Sequence, residues 1–250
     1  MIPCRPFSIP FRKSAAIRAD ATQRFMTAPH DNPFLTHHTR ISAAPLTPEL
    51  RFHLADPQSD VWRQDEEALI AQGLPSPFWA FAWGGGQALA RLLLDQPELV
   101  ADKRVLDFAC GCGIAGIAAA KAGADLVTGT EIDAFAVQAA RANAKLNDVP
   151  LQVMEADLVG ADDGWDVVLA GDVFYETEAG AAITDWLESL HDRGALVLIG
   201  DPGRAYLPKD KLCVMARFEA PKAGDLEDQD VGAARVWRFS TPPRGLPELD

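Results

Sequence analysis

With 250 residues, 48% of them hydrophobic, the chain has material for one large domain with a full core. Its 36 acidic against 23 basic side chains leave a net charge of −13, which excludes nucleic acid as the main partner and favours basic or neutral surfaces. The four cysteines, Cys4, Cys110, Cys112 and Cys213, form no C-x-x-C pair and the histidines show no ligand spacing, so a reducing cytoplasm and no metal site are expected.

Residues 1–35 contain Pro3, Pro6, Pro10, Pro29 and Pro33 with little periodic hydrophobicity. They read as a disordered or misassigned extension, with Met26 as an alternative start, in preference to an organelle address. Residues 36–76 form an accessory segment. There Leu50, Phe52 and Leu54 alternate as in a short strand, Pro45 and Pro48 break the preceding stretch, and 60–72 look helical before Gly73 and Pro75. In PFWAFAWGGG, residues 77–86, large aromatics precede three glycines. Trp79 fits core or ligand equally, whereas Trp83, beside the glycines, reads as a ligand wall whose ring face attracts a cation by roughly 0.5 to 2 kcal/mol. Leu89, Leu92 and Leu93 then form the buried face of a helix ending before Pro97.

Residues 104–131 read as strand, glycine loop, helix and strand. The first strand carries Asp107 near its carboxyl end, facing the crevice where open α/β sheets bind ligands. The loop Ala109-Cys110-Gly111-Cys112-Gly113 holds only small residues, so a ligand can approach its backbone and the helix beyond. Gly111-x-Gly113-x-x-Gly116, with Glu131 20 residues after Gly111, matches a dinucleotide fingerprint. Against NAD stands Asp107, whose charge would repel a pyrophosphate and favour cationic S-adenosylmethionine (SAM). Glu131 serves ribose hydroxyls in either case. The longest apolar run, residues 108–120, is broken by glycines and too short to span a bilayer.

A helix over 133–147 is expected to bury Phe135, Ala139, Ala142 and Leu146 and to expose Arg141 and Lys145. The strand 151–154 leads to Asp157, placed either to accept from an adenine amino group or to serve as a loop carboxylate. A buried strand over 165–171 delivers Asp172, Val173, Phe174 and Tyr175 to the same crevice. The next helix buries Ile183, Trp186, Leu187 and Leu190, and 194–200 form a further strand. Beyond it, 207–216 read as a helix, 217–220 and 234–240 as strands, the acidic stretch 225–230 as their turn, and 241–250 as a loose tail. The total is an α/β, Rossmann-like, doubly wound sheet of seven mostly parallel strands with helices on both faces, its main domain spanning 77–240.

With these segments in place, the chain resembles class I, seven-β-strand SAM-dependent methyltransferases over about residues 32–239. Within them it closely resembles the electron transfer flavoprotein β-subunit lysine methyltransferases. The broad signals are LDFACGCG, Glu131, Asp157 and Asp172; the narrow ones are PELRFHLA, PFWAFAWGGGQALA, GDVFYE and LIGDPGRAYLP. One departure is Ala109, where the loop usually begins with glycine. The resemblance implies a SAM site built from Trp83, Asp107, Ala109, Gly111, Gly113, Glu131, Ile132, Asp157 and Asp172. It also implies that Asp172 orients a substrate lysine, with Phe174 and Tyr175 walling its channel. The implied substrate is the flavoprotein β-subunit, with another protein such as a ribosomal one, or a small amine, as alternatives. The enzyme would act as a cytoplasmic monomer. A cofactor-sensing module without catalysis is the non-enzymic alternative.

Overall fold

The computed structural model describes residues 33–56, 78–219 and 234–242. Seven strands form one sheet: β3 (Arg104–Phe108), β4 (Leu126–Glu131), β5 (Gln152–Glu155), β6 (Val167–Gly171), β7 (Leu196–Gly200), β8 (Leu212–Phe218) and β9 (Ala234–Phe239). Their spatial order is β5-β4-β3-β6-β7-β9-β8. The first five are parallel, and β9 is antiparallel to both β7 and β8. The chain leaves β3 toward β5 and then returns to β6 on the other side, so the strand order reverses between β3 and β6. At such a switch point two carboxyl-end loops diverge and open a ligand crevice.

Strand alternation divides the core. Val168, Ala170, Val197 and Ile199 face α5 (Thr177–Arg193), whose Ile183, Trp186, Leu187 and Leu190 are buried as expected. Val167, Leu169 and Leu198 face α2 (Gly84–Asp95) and α3 (Ile114–Lys121) on the other side, through Leu89, Leu92, Leu93, Ala115 and Ala119. Both faces are thus covered, which is why these strands read as unbroken apolar runs. Among the described residues no helix is long and apolar enough to cross a membrane.

Four expectations need correction. Residues 212–218 are strand, not helix; β8 pairs along the outer side of β9 from Leu212 opposite Phe239 to Phe218 opposite Ala234. Its ladder bonds come from a partner far along the chain, and they override a weak local helical pattern. Residues 39–55 form a hairpin, β1 (Thr39–Ala44) with β2 (Thr47–Ala55), where only one strand was expected. Within the stretch read as an extension, α1 (Pro33–His38) buries Leu35 beside Trp79 and Ala139. Helix α4 (Ala134–Leu146) buries Ala139 and exposes Arg141 and Lys145 as expected, but its inner face is shifted: Ala136, Val137, Ala140, Asn143 and Ala144 are buried, while Phe135, Ala142 and Leu146 are only partly covered. The expected helix over 60–72 and the acidic turn over 225–230 lie outside the described residues.

Helix α2 starts directly against the ends of β6 and β7. A Cβ on Gly85 would stand 2.2 Å from the Gly200 carbonyl oxygen, so only glycine allows this contact. Gly85→Ala is expected to destabilise the fold by about 2 kcal/mol or more, the usual scale of overpacking against rigid backbone. Urea unfolding checks this, and an unchanged midpoint would mean that the helix start gives way freely.

Candidate active site

Two carboxyl-end loops flank the crevice. The first follows β3 and places Ala109, Gly111 and Gly113 at φ 50°, 53° and 81°. An alanine in the left-handed region is strained by about 1 to 2 kcal/mol, and Ala109 holds it with its side chain exposed. Two acids hold this loop from opposite sides. Glu131 Oε1 accepts the Gly111 N–H at 2.8 Å and Oε2 accepts the Ile132 N–H at 3.1 Å. Asp107 Oδ2 accepts the Gly116 N–H at 2.7 Å in the first turns of α3. A Cβ at Gly116 would come within 2.8 Å of that oxygen, so the third glycine of the fingerprint makes room for Asp107.

Asp107 is 2% exposed, and burial pushes its carboxyl up to about 8 against the opposing pull of the Gly116 N–H. It is therefore mostly neutral at pH 7, which corrects the charge argument made from the sequence. A neutral Asp107 adds no repulsion against a pyrophosphate; its hydrogen bond ties the first turn of α3 to the end of β3. Burial also raises Glu131, with the two N–H groups opposing. The Cys112 thiol is pushed up to about 12 by burial, and Cys110 is raised likewise, so both act as small neutral fillers.

The second loop follows β6. Asp172 sits at φ 58°, a strained conformation of the kind that clusters at functional sites. Its Oδ2 accepts the Gly86 N–H at 2.9 Å from the start of α2, and its Oδ1 accepts from Arg204 at 2.6 Å. Arg204 also reaches Asp201 Oδ2 at 3.3 Å, and Asp201 Oδ1 accepts the N–H groups of Gly203 and Arg204. Burial raises the Asp172 carboxyl to about 6, while the Arg204 guanidinium holds it from rising further. Arg204, Asp201 and the Gly86 amide were not singled out from the sequence, where only the LIGDPGRAYLP and AWGGGQ strings could have pointed to them.

The aromatics separate into rim and core. Tyr175 and Phe78 are 60% and 59% exposed with ring centroids 6.3 Å apart. Trp83 lies 6.1 Å from Phe78, and its indole N–H donates to the Phe78 carbonyl at 2.8 Å. Phe174, expected to wall the lysine channel, is fully buried among Phe108, Leu187 and Ile199 and is a core residue instead. Trp79 is also core, stacked on Phe135 at 6.4 Å. Asp157 is exposed beyond β5, next in the sheet to Glu131, and one of its oxygens closes a turn onto the Val159 N–H.

A family model described as ribosomal protein L11 methyltransferase matches residues 87–173. Across a longer span, the chain is 41% identical over 213 residues to the electron transfer flavoprotein beta subunit lysine methyltransferase of Xenopus laevis, covering 82% of this chain and 85% of that one. The chain belongs to that family of lysine methyltransferases. Its Homo sapiens relative is 36% identical over 219 residues, with 84% and 82% coverage. Among solved structures, the ribosomal protein L11 methylase of Lactobacillus delbrueckii subsp. bulgaricus matches with a TM-score of 0.46 at 21% identity, over 64% of this chain and 79% of that one.

The chain is thus a SAM-dependent methyltransferase of class I, and both the dinucleotide and the non-enzymic readings fall. Its residues fit the cofactor. A Cβ at Gly111 would meet nothing within 4 Å, so the loop borders open space. Beside that space Ile132 leaves an apolar side chain 74% exposed next to the Glu131 carboxylate, a surface suited to a flat base joined to a ribose.

Because the folded pKa of Asp107 lies above its ordinary 3.8, the folded chain keeps a proton between about pH 4 and pH 8 that the unfolded chain releases. The contribution of Asp107 to the stability of the ligand-free enzyme therefore falls as pH rises through that window, by at most about 1.4 kcal/mol per pH unit for this one group. In urea unfolding at pH 5 and pH 8, Asp107→Asn should show a flatter dependence than the native chain. Equal slopes would mean that the buried carboxyl is ionised throughout.

Proposed function

We propose that this enzyme methylates lysine side chains of the electron transfer flavoprotein beta subunit, with Asp172 orienting the target amine. The observation that carries the reading is Asp172 itself, a strained carboxylate with a side chain 10% exposed at the strand-order reversal, held by the Gly86 amide and Arg204. The beta subunit as substrate comes from the names of the family members, and the chain's net charge of −13 suits a lysine-bearing partner.

SAM would supply an electrophilic methyl group on its sulfonium, the S–CH3 bond breaking as the N–CH3 bond forms and the neutral thioether S-adenosylhomocysteine leaving. The nucleophile is a neutral lysine amine, and because lysine has an ordinary pKa near 10.4, it must shed a proton first. Asp172 is ionised at neutral pH, since its carboxyl titrates at about 6. It accepts an N–H of the amine and so turns the nitrogen lone pair toward the methyl group, a positioning role. Tyr175, with Phe78 and Trp83, offers ring faces to the methylammonium that forms. Glu131 receives the ribose hydroxyls, Asp157 the adenine amino group and Ile132 its ring face, while Ala109, Gly111 and Gly113 let the cofactor lie close to the backbone. Residues 77–240 form the catalytic unit of this reading, and a monomer in the cytoplasm is its setting.

A second reading, a ribosomal protein as substrate, is favoured by the match of residues 87–173 to the ribosomal protein L11 methyltransferase model. Labelled SAM incubated with purified flavoprotein and with a lysate of the host separates the two. Label on flavoprotein lysines, with Asp172→Asn lowering kcat about a hundredfold while SAM still binds, is expected. Label confined to a ribosomal protein would overturn the substrate and leave the chemistry standing.

Cofactor placement is tested separately. Glu131→Ala removes an acceptor worth roughly 1.5 to 3 kcal/mol and should weaken SAM by about ten- to a hundredfold in calorimetry. Unchanged affinity would remove Glu131 from the site.

A further inference from the structure

The accessory hairpin does not stand beside the catalytic domain; it is bonded through it to the cofactor loop. Asn143, in the middle of α4, is fully buried. Its Oδ1 accepts the His53 N–H from β2 at 2.7 Å, and its Nδ2 donates to the Cys112 carbonyl in the glycine loop at 2.9 Å. Only one orientation of the amide satisfies both partners, since an N–H needs an acceptor and a carbonyl needs a donor. Apolar contacts run alongside: Leu50 and Phe52 of β2 belong to the same buried cluster as Cys112, Ile114 and Ile117. One turn further, at the C-cap of α4, Asn147 clasps the hairpin without touching the glycine loop: it accepts the Arg51 N–H at 3.0 Å and donates to the carbonyls of Arg51 at 2.6 Å and Asn143 at 2.8 Å.

We infer that Asn143 is a positioning residue through which the hairpin over residues 39–55 sets the shape of the cofactor loop. The inference rests on that loop binding SAM and goes beyond it by assigning a role to a segment outside the seven-stranded sheet. The Cys112 carbonyl lies between two left-handed glycines, Gly111 and Gly113, whose wide backbone freedom leaves the peptide plane to be set by its surroundings and hydrogen bonds. A fixed donor facing that carbonyl fixes the plane, and with it the direction of the Gly113 N–H, which donates to the Cys110 carbonyl at 2.7 Å. Linkage is reciprocal, so a ligand that prefers the ordered loop must also strengthen the hold on the hairpin.

Two variants divide the roles. Asn143→Leu fills about the same space and offers the Cys112 carbonyl no donor in any protonation state, while Asn147 still clasps the hairpin. Asn147→Ala loosens the hairpin and leaves the Asn143 side-chain bonds to His53 and Cys112 in place. Asn143→Leu should weaken SAM about tenfold in calorimetry, whereas Asn147→Ala, even with an equal or larger loss of thermal midpoint, should bind SAM within about twofold of the native chain. In the native chain, hydrogen exchange supplies a measurement free of any substitution: saturating SAM should slow exchange of the His53 amide. Native affinity in a folded Asn143→Leu protein would overturn the inference, as would a His53 exchange rate indifferent to SAM. Failure of the native chain to bind SAM at all would instead overturn the cofactor site.

Discussion

The contact on which the site depends is between two backbones. Gly85 at the start of α2 and Gly200 at the end of β7 approach so closely that a Cβ on either would stand within 2.2 Å of the other's carbonyl oxygen. That approach carries the Gly86 N–H to Asp172, while the Asp172 N–H is itself bonded to the Gly200 carbonyl at 2.8 Å. A carboxylate taken out of water needs donors, and here they come from a helix start and a guanidinium already fixed by Asp201. Asp172 thus stays charged where burial alone would neutralise it.

The neighbouring loop solves a related problem with the opposite outcome. Asp107 receives one N–H and no cation, so burial prevails and the carboxyl keeps its proton. Two acids at the ends of adjacent strands therefore have different charge states, set by what surrounds them rather than by residue type. One braces a helix against a strand, and the other is held between a helix start and a guanidinium.

Much of this was legible in the sequence. The five parallel strands and α2, α3 and α5 follow from apolar runs and 3.6-residue periodicity, and the glycine loop, Glu131 and Asp172 stand at strand ends where their chemistry is useful. What escaped reading depends on distant partners. The inner face of α4 was misjudged because Asn143 and Asn147 look like surface residues; their partners lie 90 and 96 residues upstream, in the backbone of β2. Phe174 looked like a channel wall because it adjoins Asp172, yet it is packed entirely inside. The glycines beside Trp83 gave no hint of their use, which is that Gly85 and Gly86 let α2 pack against Gly200 and Ile114. Arg204 was one letter in a motif until the fold brought it to Asp172.

The place of β9 in the sheet bears on how the enzyme is made. Among the described strands it comes last in sequence, yet it lies between β7 and β8, and its Arg235 carbonyl and Trp237 indole grip both ends of the Asp201 peptide unit. During synthesis, then, Asp172 and the backbone groups of Gly86 and Gly200 that hold it emerge well before the segment that secures Asp201 and, through it, Arg204. A nascent chain has both acid-bearing loops in hand before β9 arrives to lock the guanidinium that holds Asp172 in its charged form.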